Sequence, residues 1–141
     1  MEGSTQKIVA EGYPLQVSAA LIAILQKEID RAGIQAGVAA YVSFRDPTHS
    51  RSTGGFRPVE VYVGENGRIN YFTEFCYVGA EPMVDLAKSA DFDFNEKSYQ
   101  DLSCYNSIDS ADVRAFWKLW SGNFVEYYRM GVYTVQIVEG P

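Results

Sequence analysis

His49 is the only histidine among the 141 residues, so a hydrolytic triad or a Cys–His pair would have to be built on it. It stands near Asp46, Ser50 and Ser52 in a run of small polar residues, with no strand–turn–helix nucleophile elbow around it. A carboxylate pair is the second route to acid–base work. Glu60 and Glu74 fall on adjoining strands of a predicted hairpin, where like charges ordinarily face water. Ion binding is a third route. Asp91, Asp93 and Asn95 alternate like the opening of a calcium loop, but the sixth position is Glu96 where the bend needs Gly, and the twelfth is Leu102 where a bidentate Glu belongs. Cys76, Cys104 and His49 show no paired spacing for zinc, and Ser52-Thr53-Gly54-Gly55 lacks the Lys and following helix of a phosphate cradle. No catalytic, cofactor-binding or metal-binding residue is therefore assigned. Asp46, His49, Glu60, Glu74, Asp91 and Asp93 form the candidate pocket of an alternative reading, a small hydrolase or ligand-binding enzyme, which requires them to converge.

The remaining chemistry-bearing feature is aromatic. Trp117, Trp120, Phe124, Tyr127 and Tyr128 recur at helical spacing and build one broad face. Such a face is either core or an interaction surface, because Trp and Tyr are the usual energetic anchors of interfaces.

These groups need elements to position them. Leu15, Ala19, Ile22, Leu25 and Ile29 repeat at helical spacing between Pro14 and Gly33, which predicts a first long helix over about 14–32. Asp109-Ser110 caps a second over about 110–130. Between them the period is two: strands are expected over 38–45, 56–63, 68–78, 91–94 and 98–105, with a final strand after the second helix. Glu81 to Lys88 reads as a helical turn or short helix. Residues 1–13 read as a loose arm or an edge strand of a single domain spanning 1–141.

The strand at 68–78 carries Ile69, Tyr71, Phe75 and Tyr77 on one face and Phe72, Cys76 and Val78 on the other, so it belongs in the middle of a sheet with cover on both sides. Gly64-Glu65-Asn66-Gly67 marks the hairpin that leads into it. A two-residue turn would set Val61 opposite Phe72 and Val59 opposite Glu74. A three-residue loop would reverse the parity and turn Glu74 away from the valines. The cost of burying an unpaired carboxylate favours the second.

The fold class is thus α+β: an antiparallel sheet of about five to six strands with two long helices packed on it. Composition agrees, with 47% apolar and 14% aromatic residues, enough for a core that needs no staples. The net charge of −6 and twelve scattered basic residues argue against nucleic acid or a membrane surface as partner. Two distant cysteines and no export signal point to free thiols in the cytoplasm.

Several stretches together resemble a known family: Phe44-Arg45-Asp46-Pro47 with Ser50; Gly54-Gly55-Phe56 and Pro58-Val59-Glu60; Tyr71, Thr73, Phe75 and Tyr77-Val78-Gly79; Asp91-Phe92-Asp93-Phe94; Leu119-Trp120, Asn123-Phe124, Tyr127 and Gly131-Val132-Tyr133. They cover about residues 38–138. The family comprises uncharacterised bacterial proteins catalogued as a domain of unknown function and met on mobile elements and genomic islands. Arg57 stands where that pattern has His, and Glu74 where it has Asp. The resemblance implies a small α+β domain, with a looser fold-level likeness to the mitochondrial glycoproteins that include the receptor for complement globular heads, which are acidic, ring-shaped, protein-binding oligomers. Fold likeness is not function. The reading that follows is a non-enzymatic interaction or oligomerisation module, associating with itself and with an unidentified protein partner.

Overall fold

A computed structural model describes residues 4–49, 54–80 and 82–141; Ser50, Ser52, Thr53 and Glu81, named above, lie outside the described residues. Helix α1 spans Ala19–Ala32 and helix α2 spans Ala111–Arg129. The strands are β1 Ala40–Arg45, β2 Val59–Val63, β3 Ile69–Ala80, β4 Met83–Asp93, β5 Ser98–Gln100, β6 Tyr105–Ser107 and β7 Thr134–Glu139. All seven form one antiparallel sheet in the order β6-β5-β4-β3-β2-β1-β7. β3 is therefore its middle strand, and β7 returns after α2 to close the edge beside β1.

The sheet exceeds the five to six strands expected because the 98–105 segment divides. The Asp101 carboxylate accepts the backbone N–H groups of Ser103 and Cys104, each at 2.9 Å, and bends the chain into a turn between β5 and β6. Where a helical turn is expected over 81–88, Met83 to Lys88 are instead the first half of β4. Ala80 pairs with Met83, and the ladder runs from there to Tyr71 opposite Asp93, so the long edge of β3 imposes extended geometry on residues whose local preference is helical.

Local capping sets the helix ends. The Ser18 hydroxyl accepts the Leu21 N–H at 3.2 Å, and Ser110 does the same for Val113 at 3.1 Å. Helix α1 accordingly begins at Ala19 rather than Pro14. Leu15 and Val17 precede it and are both buried. The segment before them is pinned rather than loose. The Gln6 side chain donates to the Glu65 carbonyl at 2.8 Å, Gln26 donates to the Gln6 carbonyl at 2.8 Å, and the Val9 N–H reaches the Gly67 carbonyl at 2.9 Å.

Both helices lie on the same face of the sheet, in one core with Val42, Phe44, Val61, Phe72 and Phe92. Tyr128 of α2 donates to the buried Glu28 carboxylate of α1, which Arg31 also approaches at 3.6 Å. The two covers expected for β3 are thus one cover. Among the described residues no helix is long and apolar enough to cross a membrane.

Candidate functional site

The loop between β2 and β3 decides where Glu74 goes. The Gly64 N–H bonds to the Arg68 carbonyl at 2.8 Å, leaving Glu65, Asn66 and Gly67 as a three-residue loop, with Gly67 at φ 80. That loop length alone would turn Glu74 outward. A bulge between Tyr62 and Val63 then sets Tyr62 opposite Tyr71 but Val63 opposite Ile69, leaving Asn70 as the extra residue. Parity reverses a second time, so Val61 pairs with Phe72 and Val59 with Glu74. The expected outward Glu74 is corrected: it points into the helix layer.

Its carboxylate is satisfied there. Trp120 donates its indole Nε1–H to Oε2 at 3.0 Å, Ser89 its hydroxyl to Oε1 at 2.8 Å, and the half-exposed Arg57 guanidinium stands 3.5 Å from Oε1. Ser89 is available because β4 has its own irregularity, with Glu74 opposite Ala90 and Phe75 opposite Lys88. A cleft of about 100 Å³ opens here, lined also by Asn123, Tyr127 and Tyr133. Burial first, then the negative charge of Glu74, hold the Tyr133 hydroxyl well above its ordinary range. The volume is well below the roughly 300–1,000 Å³ of sites that take drug-sized ligands.

The six residues of the enzymatic reading do not share one site. Asp46 organises its own loop, accepting Thr48 N–H at 2.9 Å and Phe56 N–H at 2.9 Å. The His49 ring stacks on Tyr77 at 5.1 Å. Glu74 faces the helices, whereas the register puts Glu60, Asp91 and Asp93 on the opposite face of the sheet. Asp93 there accepts the Glu96 N–H at 2.9 Å within the turn to β5.

Three residues of the aromatic stripe of α2 are core. Trp117 is 3% exposed, Trp120 7% and Phe124 2%. Trp117 packs on Phe72, Phe92 and Phe94 with ring centroids 4.9–5.6 Å apart, and its Nε1–H donates to the Gln16 carbonyl at 2.8 Å. Tyr127 packs on Phe56 at 4.6 Å, and Tyr128 is held by Glu28. Trp117, Trp120 and Phe124 thus face the sheet, while Tyr127 and Tyr128 stay half-buried farther along the same helix, so the five do not form one exposed surface.

Among the described residues no helix lies over the other side of the sheet. Two cross-strand rows run over it: Val138, Tyr41, Tyr62, Tyr71 and Asp93, and beside them Gln136, Ser43, Glu60, Thr73 and Asp91. The Tyr41 and Tyr62 rings meet at 4.6 Å, and Tyr62 stacks on Tyr71 at 6.0 Å and 16°. The Tyr71 hydroxyl donates to Glu60 Oε2 at 2.5 Å; burial first, and then this acceptor, raise its pKa far above the ordinary tyrosine value. Thr73 donates to Asp91 at 2.7 Å, and Lys88 reaches the same carboxylate at 3.3 Å. This face was legible in part: the sequence shows Tyr71 and Phe75 on one side of β3, but the alignment of Tyr41, Tyr62 and Tyr71 depends on the bulge.

Two solved structures share this architecture. The hypothetical protein VC0508 from the VSP-II pathogenicity island of Vibrio cholerae is 25% identical, with a TM-score of 0.84 over 95% of this chain and 100% of that one. VC1805, a conserved hypothetical protein from pathogenicity island VPI-2 of Vibrio cholerae, is 27% identical, with a TM-score of 0.78 over 91% and 98% of the two chains, and is described as sharing structural homology with the human P32 protein. No protein of curated function matches the sequence. Residues 19–138 match the family model for a protein of unknown function, DUF2787, and the chain belongs to that family.

Proposed function

We propose that this chain is a non-enzymatic interaction module of the bacterial cytoplasm, in a mobile-element setting, that associates with itself through the uncovered face of its sheet and presents the assembly to a protein partner. The observation that carries this reading is the placement of both helices on one side, which among the described residues leaves the ring-stacked row Tyr41, Tyr62 and Tyr71 without a helix over it. Tyrosine gives large contact area at low entropy cost. The polar groups between the rings are already paired within the protomer, Tyr71 to Glu60 and Thr73 to Asp91, so covering them strands no donor or acceptor. The P32 likeness described for one relative, and the pathogenicity-island origin of both, support the same reading.

Light scattering tests it directly. The full chain is expected to show a mass above 15.8 kDa across the micromolar range, and Tyr62→Asp to return it to the monomer without loss of helical signal. A monomeric mass at every concentration sinks the self-association. The enzymatic alternative retains one specific observation, the Glu74 cleft with Arg57 and Tyr133, and its small volume restricts it to a ligand of a few atoms.

A further inference from the structure

Four of the twelve basic residues, Arg68, Lys97, Arg114 and Lys118, line two adjoining cavities. A cavity of about 440 Å³ lies between the N-terminal segment and α2, with Leu15 and Trp117 among its apolar lining. Arg114, Lys118, Ser121 and Gly122 follow one another at i, i+4, i+7 and i+8 along α2, so one stripe of that helix faces it. Neither Arg114 nor Lys118 forms an ion pair among the described residues. An adjoining cavity of about 660 Å³ shares Pro14 and Arg114 and adds Arg68 and Lys97, with Asp109 as the single carboxylate on either wall. In a chain of net charge −6, this is a local excess of positive charge.

Two further features point at the same space. Ser18 lines it and is the N-cap of α1, whose first turn carries no acidic residue, so the positive end of the helix dipole is unopposed there. Ser121 is only 8% exposed, lines the cavity, and its hydroxyl has no hydrogen-bond partner among the described residues. Among the described residues no sealed side-chain polar atom lacks a partner, so this hydroxyl opens onto the cavity. Gly122 leaves room beside it, since an added Cβ would meet nothing within 4 Å.

We propose that this cavity binds a small organic anion, an apolar body carrying a phosphate or carboxylate group. The headgroup is met by Arg114, Lys118, the Ser121 hydroxyl and the N-terminus of α1, and the body by Leu15 and Trp117. The site is on the helix side of the protomer, so it does not depend on the sheet-face association above.

Phenyl phosphate and benzoate, titrated into the full chain and followed by amide chemical shifts and melting temperature, distinguish the two headgroups. At least one of them is expected to saturate in the millimolar range. Phenol and inorganic phosphate, each with half of the chemistry, should bind at least about tenfold more weakly. The double variant Arg114→Gln/Lys118→Gln should weaken binding by about tenfold or more, while Arg31→Gln/Arg129→Gln, which removes two cations elsewhere, should leave it unchanged. Gly122→Leu fills the space without altering charge and improves helix propensity, so it should abolish binding while the melting temperature holds or rises. The proposal is overturned if neither probe saturates, if the two double variants weaken binding equally, or if Gly122→Leu binds like the original chain.

Discussion

Trp120→Phe isolates the contact that makes an inward Glu74 tolerable. The substitution keeps an aromatic ring against Phe92 and Phe124, where the indole now packs at 5.3 and 5.6 Å, but removes the N–H that donates to Glu74 Oε2 at 3.0 Å. A hydrogen bond to a charged group contributes about 1.5–3 kcal/mol, against about 0.5–1.5 kcal/mol between neutral partners. The Glu74 side chain is 21% exposed, so water compensates in part and the lower end of the first range applies. Arg57 cannot take over: its guanidinium is 53% exposed and 3.5 Å away, a geometry that contributes at most about 1 kcal/mol. The single substitution also removes ring volume, and a cycle with Glu74→Gln separates that cost from the hydrogen bond. Trp120→Phe is expected to cost about 1 kcal/mol less when Glu74→Gln is already present, because the lost N–H then faced a neutral amide. Urea unfolding followed by far-UV circular dichroism measures all four corners, and about 1 kcal/mol corresponds to a melting shift of roughly 2–4 °C for a chain near this size. Equal costs in both backgrounds, within about 0.3–0.5 kcal/mol, would show that Trp120 contributes packing only and that the account of Glu74 is wrong.

Other outcomes can be checked with the same protein. Gly67→Ala should destabilise by about 2 kcal/mol or more, because Gly67 has φ 80 and an added Cβ would sit 2.1 Å from the Lys7 carbonyl oxygen; a change near zero in urea midpoint contradicts this. Trp117→Ala should cost about 3–5 kcal/mol as a core truncation, whereas Leu119→Ala on the exposed side of the same helix should stay within about 0.5 kcal/mol; comparable losses would argue against the stripe as core. Tyr128 is pushed up to about 12, by burial first and then by its bond to Glu28, and Tyr71 and Tyr133 are also raised. A raised tyrosine stabilises the fold fully below the unfolded value near 10 and less as pH climbs through the folded value, so stability should fall from about pH 10 to 12. An ultraviolet titration showing all ten tyrosines ionising near pH 10 in the folded chain would refute that. With thiol reagent the exposed Cys104 should react in the native state and the buried Cys76 only on unfolding; two fast thiols would contradict the burial of β3.

Much of the framework is local and could be read directly. Ser110 and the aromatic repeat of α2 locate that helix almost to the residue, and the apolar content of 69–78 places β3 in the middle of the sheet. The α1 start was misplaced because Leu15 fits both the helical repeat and the extended segment that buries Leu15 and Val17; only the Ser18 cap discriminates. The first half of β4 was not legible, since Met83 to Lys88 has helical preference and becomes strand by pairing with a partner already fixed.

By itself the sequence determined the fold class, the two helices, the central strand and the presence of a turn at Gly64-Glu65-Asn66-Gly67, all of which rest on periodicity, caps and turn residues acting over a few positions. Only the tertiary structure decided which side of the sheet each group faces. One extra residue at Asn70 reverses every side chain after it, sending Glu74 to Trp120 and lining up Tyr41, Tyr62 and Tyr71 on the uncovered face. Likewise, Arg114 and Lys118, one turn apart on α2, border a cavity with Leu15, Gln16 and Ser18 only because the N-terminal segment crosses that helix. Bulges and crossings are settled by packing and backbone pairing between distant segments, and no local pattern of residue types encodes them.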